Sequence, residues 1–137
     1  MHEDDDLAKK LDEGLALLRV LRPPKRRIDA VIDGGVRLLT PEEVVYFTTS
    51  EDRQLLIFTA DGQQHYNFKG MADMAKILAD DPRFMRVHKS FLVNLEHVTT
   101  VLNVEGGREL GFAILPDLKI KVAQDQVKQL EEYFGYG

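Results

Sequence analysis

The chain has no cysteine, so disulfides and thiolate metal sites are excluded and the composition fits a reducing compartment. No apolar run approaches the roughly 20 residues of a membrane-spanning helix, and the acidic start at Glu3 to Asp6 is unlike a secretory signal. The expectation is a cytoplasmic protein with no membrane partner. Catalytic signatures are missing too. There is no P-loop, no G-x-G-x-x-G and no G-x-S-x-G, and Gly106-Gly107 reads as a hairpin turn. His2, His65, His88 and His97 lack metal-ligand spacing. A hydrolase built on His88 and Ser90 would want an orienting carboxylate and an oxyanion site that neighbouring same-face residues do not supply. The paired acids Glu42-Glu43 and Asp80-Asp81 read as helix-end caps and solvated charge. No enzyme activity, cofactor or metal is expected.

Positive charge is also in short supply, with 18 Lys and Arg against 23 Asp and Glu, a net of -5. Residues 1–27 hold seven bases and six acids, so the remaining 110 residues carry the whole deficit. An acidic body weakens non-specific attraction to nucleic acid, although the field at a local basic surface can still favour it.

What is present fits one ordinary domain with a small appendage: 137 residues can bury a core without staples. Asp4 to Arg22 reads as an amphipathic helix, with Leu7, Leu11, Leu15, Leu18 and Leu21 on one stripe and acids in its first turn. Gly14 weakens it by about 1 kcal/mol relative to Ala, so the stripe needs a partner. That partner is either a second copy of the chain or the helix's own domain. Arg22-Pro23-Pro24-Lys25-Arg26-Arg27 breaks the helix and reads as a solvated linker, or as an arm along phosphates.

From Ile28 the pattern turns to short strands. Ile28–Ile32 and Val36–Leu39 flank the hairpin signal Asp33-Gly34-Gly35. Thr40-Pro41-Glu42-Glu43 suggests one helical turn with a capping box. Val44–Thr49, Gln54–Thr59 and Gln64–Phe68 follow as strands around Ser50–Arg53 and Asp61-Gly62. A short helix over Asp73–Ala79, capped by Asp73 and carrying Met74, Ile77 and Leu78 inward, ends at Asp81-Pro82. Later strands are expected over Val98–Val104, Glu109–Leu115 and Leu118–Val122, and a closing helix over Asp125–Phe134.

The most informative stretch is Arg83-Phe84-Met85-Arg86-Val87-His88-Lys89-Ser90-Phe91-Leu92-Val93-Asn94. As one extended segment it puts Arg86, His88 and Ser90 on one face and Met85, Val87 and Phe91 on the other. The polar row suits either an internal hydrogen-bond network or phosphate and base edges. The run resembles the signature of the LytTR family of bacterial DNA-binding domains, roughly R-F-x-R-x-H-x-S-x-L-V-N-x-x-x-I/V, matched at Arg83, Phe84, Arg86, His88, Ser90, Leu92, Val93, Asn94 and Val98. With its flanks, the resemblance covers about residues 28 to 134.

The resemblance implies a mainly β fold with short helices, an elongated antiparallel LytTR-like architecture over residues 28–137, preceded by the helix and linker of residues 1–27. It implies a response-regulator-like transcriptional regulator that binds double-stranded promoter DNA at direct repeats, as a homodimer joined either through the N-terminal helix or otherwise. Carried over by position, base contacts fall to Gln54, to Lys89 and to the start of the last helix at Gln124 and Asp125. Lysine suits guanine acceptor edges or a phosphate, and Gln54 suits adenine. Asp125 departs from the family, which often has arginine there, and puts that contact in doubt. Arg53, Arg86 and Lys128 are candidates for phosphate contact, while His88 and Asn94 are expected to be structural. Family members usually follow a receiver or other sensory domain, for which 137 residues leave no room. Control then falls to a protein partner or to self-assembly, unless the chain is a piece of a longer one. The other reading is a protein-interaction or ligand-sensing module that keeps the LytTR fold without tight DNA binding.

Overall fold

The computed structural model describes residues 26–135, so the expected helix over Asp4–Arg22 and all but the end of the linker lie outside the described residues. β1 (Ile28–Ile32) and β2 (Gly35–Leu39) pair antiparallel with Ile28 opposite Leu39. Gly34 makes their reversal at φ 80°, a backbone conformation costly for any residue with a Cβ. Pro41–Glu43 forms a 3-10 turn. The expected capping box is not made: the Thr40 hydroxyl donates to the Glu43 carboxylate at 3.0 Å and caps no backbone N–H.

A meander of β3 (Val44–Thr49), β4 (Leu55–Thr59) and β5 (Gln64–Asn67) follows. Helix α1 spans Met71–Ile77, two residues earlier than the pattern suggested. Gly70, not Asp73, is its N-cap, and no side chain caps it. Met71, Met74 and Leu78 are buried, whereas Ile77 is exposed and not inward as expected. Then come β6 (Phe84–His88), β7 (Phe91–Asn94), a 3-10 turn at Leu95–His97 and β8 (Thr100–Val104). β9 occupies Gly107–Gly111, not Glu109–Leu115. It starts straight from the turn, and at Gly111 it runs so close to β8 that a Cβ would collide with Thr100 Oγ1. β10 is Lys119–Val122. The closing helix is split into a 3-10 turn at Gln124–Gln126 and α2 (Val127–Phe134). Gly135 at φ 72° ends α2, its N–H reaching the Glu131 carbonyl at 2.9 Å.

Pairing is antiparallel throughout, in sheets of order β1-β2, β5-β4-β3-β7-β6 and β10-β9-β8. The five-stranded sheet is covered on both faces. On one side Phe47, Leu55, Ile57, Phe84 and Leu92 pack against Ile28, Ala30 and Leu39 of the first hairpin and Met71, Met74 and Leu78 of α1. On the other, Val45, Tyr46, Val87 and Val93 meet Leu110, Ile120, Val122 and Leu130. A bulge between Val44 and Tyr46 shifts the register of β3. Val45 and Tyr46 therefore face the same core although strict alternation would separate them.

Candidate nucleic-acid interface

The signature run is a hairpin, not one extended segment. β6 pairs with β7, a register shift falls between Arg86 and His88, and the chain reverses at Lys89-Ser90. Ser90 is thereby removed from the row expected to join it to Arg86 and His88. The turn contains no Gly, Pro, Asn or Asp, and side chains hold it instead. The Ser90 N–H donates to His88 Nδ1 at 3.1 Å, which puts the ring proton on Nε2. Arg86 donates from Nε and Nη2 to the Lys89 carbonyl at 3.3 and 2.7 Å. Lys89 itself projects from the apex and is exposed.

The remaining signature residues build the frame. Asn94 is fully buried; its Nδ2 donates to the Pro41 and Val44 carbonyls at 3.2 and 3.0 Å, and its Oδ1 accepts from the Glu96 N–H at 3.0 Å. Arg83, at the opposite end of β6 from Lys89, grips Asp81 through Nε at 2.9 Å and Nη2 at 2.7 Å and reaches Glu42 through Nη1 at 3.0 Å. Its own pKa rises beyond the usual arginine value, chiefly through the Asp81 hydrogen bonds. The same fork holds the Asp81 carboxyl below the ordinary aspartate range. Glu42 is lowered as well, first by its own backbone N–H and then by Arg83.

Topology gathers three loops at the Lys89 end. β3 pairs with β7 so that Thr48 lies opposite Phe91, and with β4 so that Thr49 lies opposite Leu55. The β3–β4 loop, Ser50 to Gln54, therefore leaves the sheet at the same end as the Lys89-Ser90 turn. Within that loop the Ser50 N–H donates to the Gln54 carbonyl, the Gln54 N–H to Ser50 Oγ and the Arg53 N–H to the Ser50 carbonyl, at 2.9, 3.1 and 2.9 Å. Arg53 adopts φ 62°, a left-handed conformation rare for a residue with a Cβ. The third loop is stitched on by one backbone bond, Ala123 N–H to the Val87 carbonyl at 2.7 Å, joining the end of β10 to the edge of β6.

That bond brings the sequence candidates together unevenly. Arg86, His88, Lys89, Ala123, Asp125 and Gln126 line one open groove of about 460 Å³. Arg53 and Gln54 are exposed on the neighbouring loop and do not line it. Gln124 is partly committed, its Nε2 donating to the Gly106 carbonyl at 3.1 Å. Lys128 lies exposed in the first turn of α2. Two residues were missed. Gln126 enters the groove because the 3-10 turn carries it back toward β6. Lys121 reaches the Gly106 turn, its Nζ 3.5 Å from where a Cβ on that glycine would stand. The alternation Lys119-Ile120-Lys121-Val122 marked both lysines as outward-facing.

A family model, the LytTr DNA-binding domain, matches residues 34–135. The chain belongs to the LytTR family. The matched span starts after β1, six residues later than the resemblance suggested. The fold of this LytTR domain is similar to the solved LytTr DNA-binding domain of a Bacillus cereus protein described as a methyl-accepting/DNA response regulator. The TM-score is 0.67 at 17% identity, covering 82% of this chain and 99% of that one. No curated protein matches the chain. Among the described residues of the LytTR chain, no helix is long and apolar enough to cross a membrane, and no cluster of His, Asp and Glu is placed to hold a metal ion.

Proposed function

We propose that residues 28–137 read promoter DNA in a sequence-specific way, as a cytoplasmic regulator that occupies direct repeats as a homodimer, with control by a regulatory protein partner. The observation that carries this is the gathering of the Ser50–Gln54 loop, the Lys89 turn and the Gln124–Gln126 turn at one end of the five-stranded sheet. Lys89 stands foremost there, suited to the O6 and N7 acceptors of guanine. Gln54 is suited to adenine from the adjacent loop, and Arg53 and Lys128, both exposed, are suited to the flanking phosphates. Arg86 spends two of its five donors on the Lys89 carbonyl and keeps three for a phosphate.

Asp125 inside the same groove favours a second reading, a protein-interaction or ligand-sensing module on this fold. A carboxylate repels phosphate, whereas it can accept from an amine on a base, a protein or a small molecule. Selection from random duplexes at low salt separates the two. Recovery of a repeated motif supports the DNA reader, and no enrichment overturns it in favour of the module.

A further inference from the structure

Four of the seven exposed large apolar side chains among the described residues, Ile32, Val36, Leu38 and Phe68, belong to the β1–β2 hairpin or to the residue after β5. Opposite residues in an antiparallel pair share a face. The pairs Val31–Val36 and Asp29–Leu38 therefore present one outer surface, opposite the Ile28–Leu39 pair that enters the core. Phe68, 82% exposed, stands against it. Val31, Val36 and Phe68 line a groove of about 510 Å³ that Asp29, Lys69 and Asp73 border. This groove is on the β5 side of the five-stranded sheet, across from the Lys89 groove on the β6 side.

Residues 7–21 carry an apolar stripe of Leu7, Leu11, Leu15, Leu18 and Leu21 and join the domain at this hairpin. From the stripe, the geometry points to one occupant: we infer that its C-terminal half, Leu15 to Leu21, packs on the outer β1–β2 face of its own chain.

Charge favours that half. From Gly14 to Arg27 the sequence has Arg19, Arg22, Lys25, Arg26 and Arg27 and no acid. The groove's border has Asp29 and Asp73 against Lys69, which itself stands 3.8 Å from Asp29, and the hairpin turn adds Asp33. Reach favours the chain's own face over a second copy's. Arg26 is pinned where α1 ends, its guanidinium forked onto Asp80 at 2.6 and 2.9 Å. From there the groove lies back along α1, a helix of seven residues and so about 10 Å long. The four residues Arg22 to Lys25 span up to about 14 Å when extended, enough to return Leu21 to that face. A tether this short also holds the stripe at millimolar effective concentration, which a free second copy rarely matches. The stripe is thus used within one chain.

The absence of native cysteine makes the test direct. In the full chain, Leu18→Cys is combined with Val36→Cys and treated with a short bismaleimide. Leu18→Cys with Leu102→Cys, an exposed position on β8, is the control. The expected result is a cross-link at the mass of one chain, formed about tenfold more readily with Val36→Cys than with the control, as a docked pair exceeds random tethered encounter. Cross-links at the mass of two chains, equal yields in the two variants, or no cross-link would each overturn the inference. Because both domain positions are exposed, an unchanged melting temperature confirms that each variant folds. The outcome is independent of DNA binding.

Discussion

Arg86 donates two hydrogen bonds to the backbone carbonyl of Lys89, at 2.7 and 3.3 Å. The residue that looks in sequence like a free phosphate ligand is thus bonded to the turn that displays the neighbouring lysine. Display and contact are coupled, and mutation can separate them.

Lys89→Ala is expected to weaken binding to the selected site by about 1 to 3 kcal/mol and to relax preference at one base pair. Lys128→Ala is expected to weaken all sequences alike and to lower the salt slope by about one. Fluorescence anisotropy on matched and scrambled duplexes across a salt series reads both. Equal losses on both duplexes for Lys89→Ala would remove it from base reading.

Arg86→Lys keeps the charge and loses the fork, because an ammonium is a point donor that cannot reproduce the guanidinium's paired geometry. The bond is solvent-exposed, so stability should fall by less than about 1 kcal/mol. Affinity should fall about tenfold, or about 1.4 kcal/mol, as Lys89 loses its fixed position. Unchanged affinity would mean that the His88–Ser90 bond alone holds the turn.

Arg53→Gly separates stability from function in the adjacent loop. Glycine adopts φ 62° without the strain that a Cβ brings, at some cost in unfolded-state entropy. The melt should therefore hold or rise by up to about 1 kcal/mol while affinity for DNA drops. Calorimetry and anisotropy on the same preparation check the pair, and a loss of stability would show that the Arg53 side chain supports the loop.

Much of the fold was legible because glycine marks its reversals. Gly34, Gly62 and Gly106 take positive φ at hairpin turns, and the strands flanking them were found to within a few residues. Where the chain turns by other means, legibility failed. Gly70 starts α1 with no side-chain cap, so the cap was misassigned to Asp73. The reversal at Lys89-Ser90 is held by His88 and Arg86, two residues that read as members of a strand face. The shared groove of Lys89 and Asp125 rests on the Ala123–Val87 backbone bond between distant segments. No local pattern encodes such a bond, and only the family resemblance brought those positions together beforehand.

Acid should weaken the fold through the Arg83 fork. Asp81 and Glu42 titrate below their ordinary values of 3.8 and 4.5, so the native state favours their charged forms. Their contribution is complete above those ordinary values and is lost as pH falls through the lowered native ones. Urea melts should be flat from neutral pH to about 5 and decline below about 4. Arg83→Met should cost about 1 to 3 kcal/mol at neutral pH and flatten the acid limb. An acid limb of unchanged slope would place the sensitivity elsewhere.

Asp125→Asn bears on how an acidic domain holds a polyanion. The carboxylate lines the groove with Lys89 and Arg86, where it offsets part of the cationic field that a phosphate would meet. Replacing it by an amide of the same shape removes the repulsion and leaves one acceptor oxygen. Affinity for any duplex should rise several-fold, by about 1 kcal/mol, with a larger effect at low salt. If Asp125 also accepts from a cytosine or adenine amine, the selected motif should change at one base pair, because an amide can donate where a carboxylate cannot. Repeating the selection with the variant decides this. An unchanged motif with raised affinity makes Asp125 a brake on binding alone, and a motif altered at that one position makes it a reader.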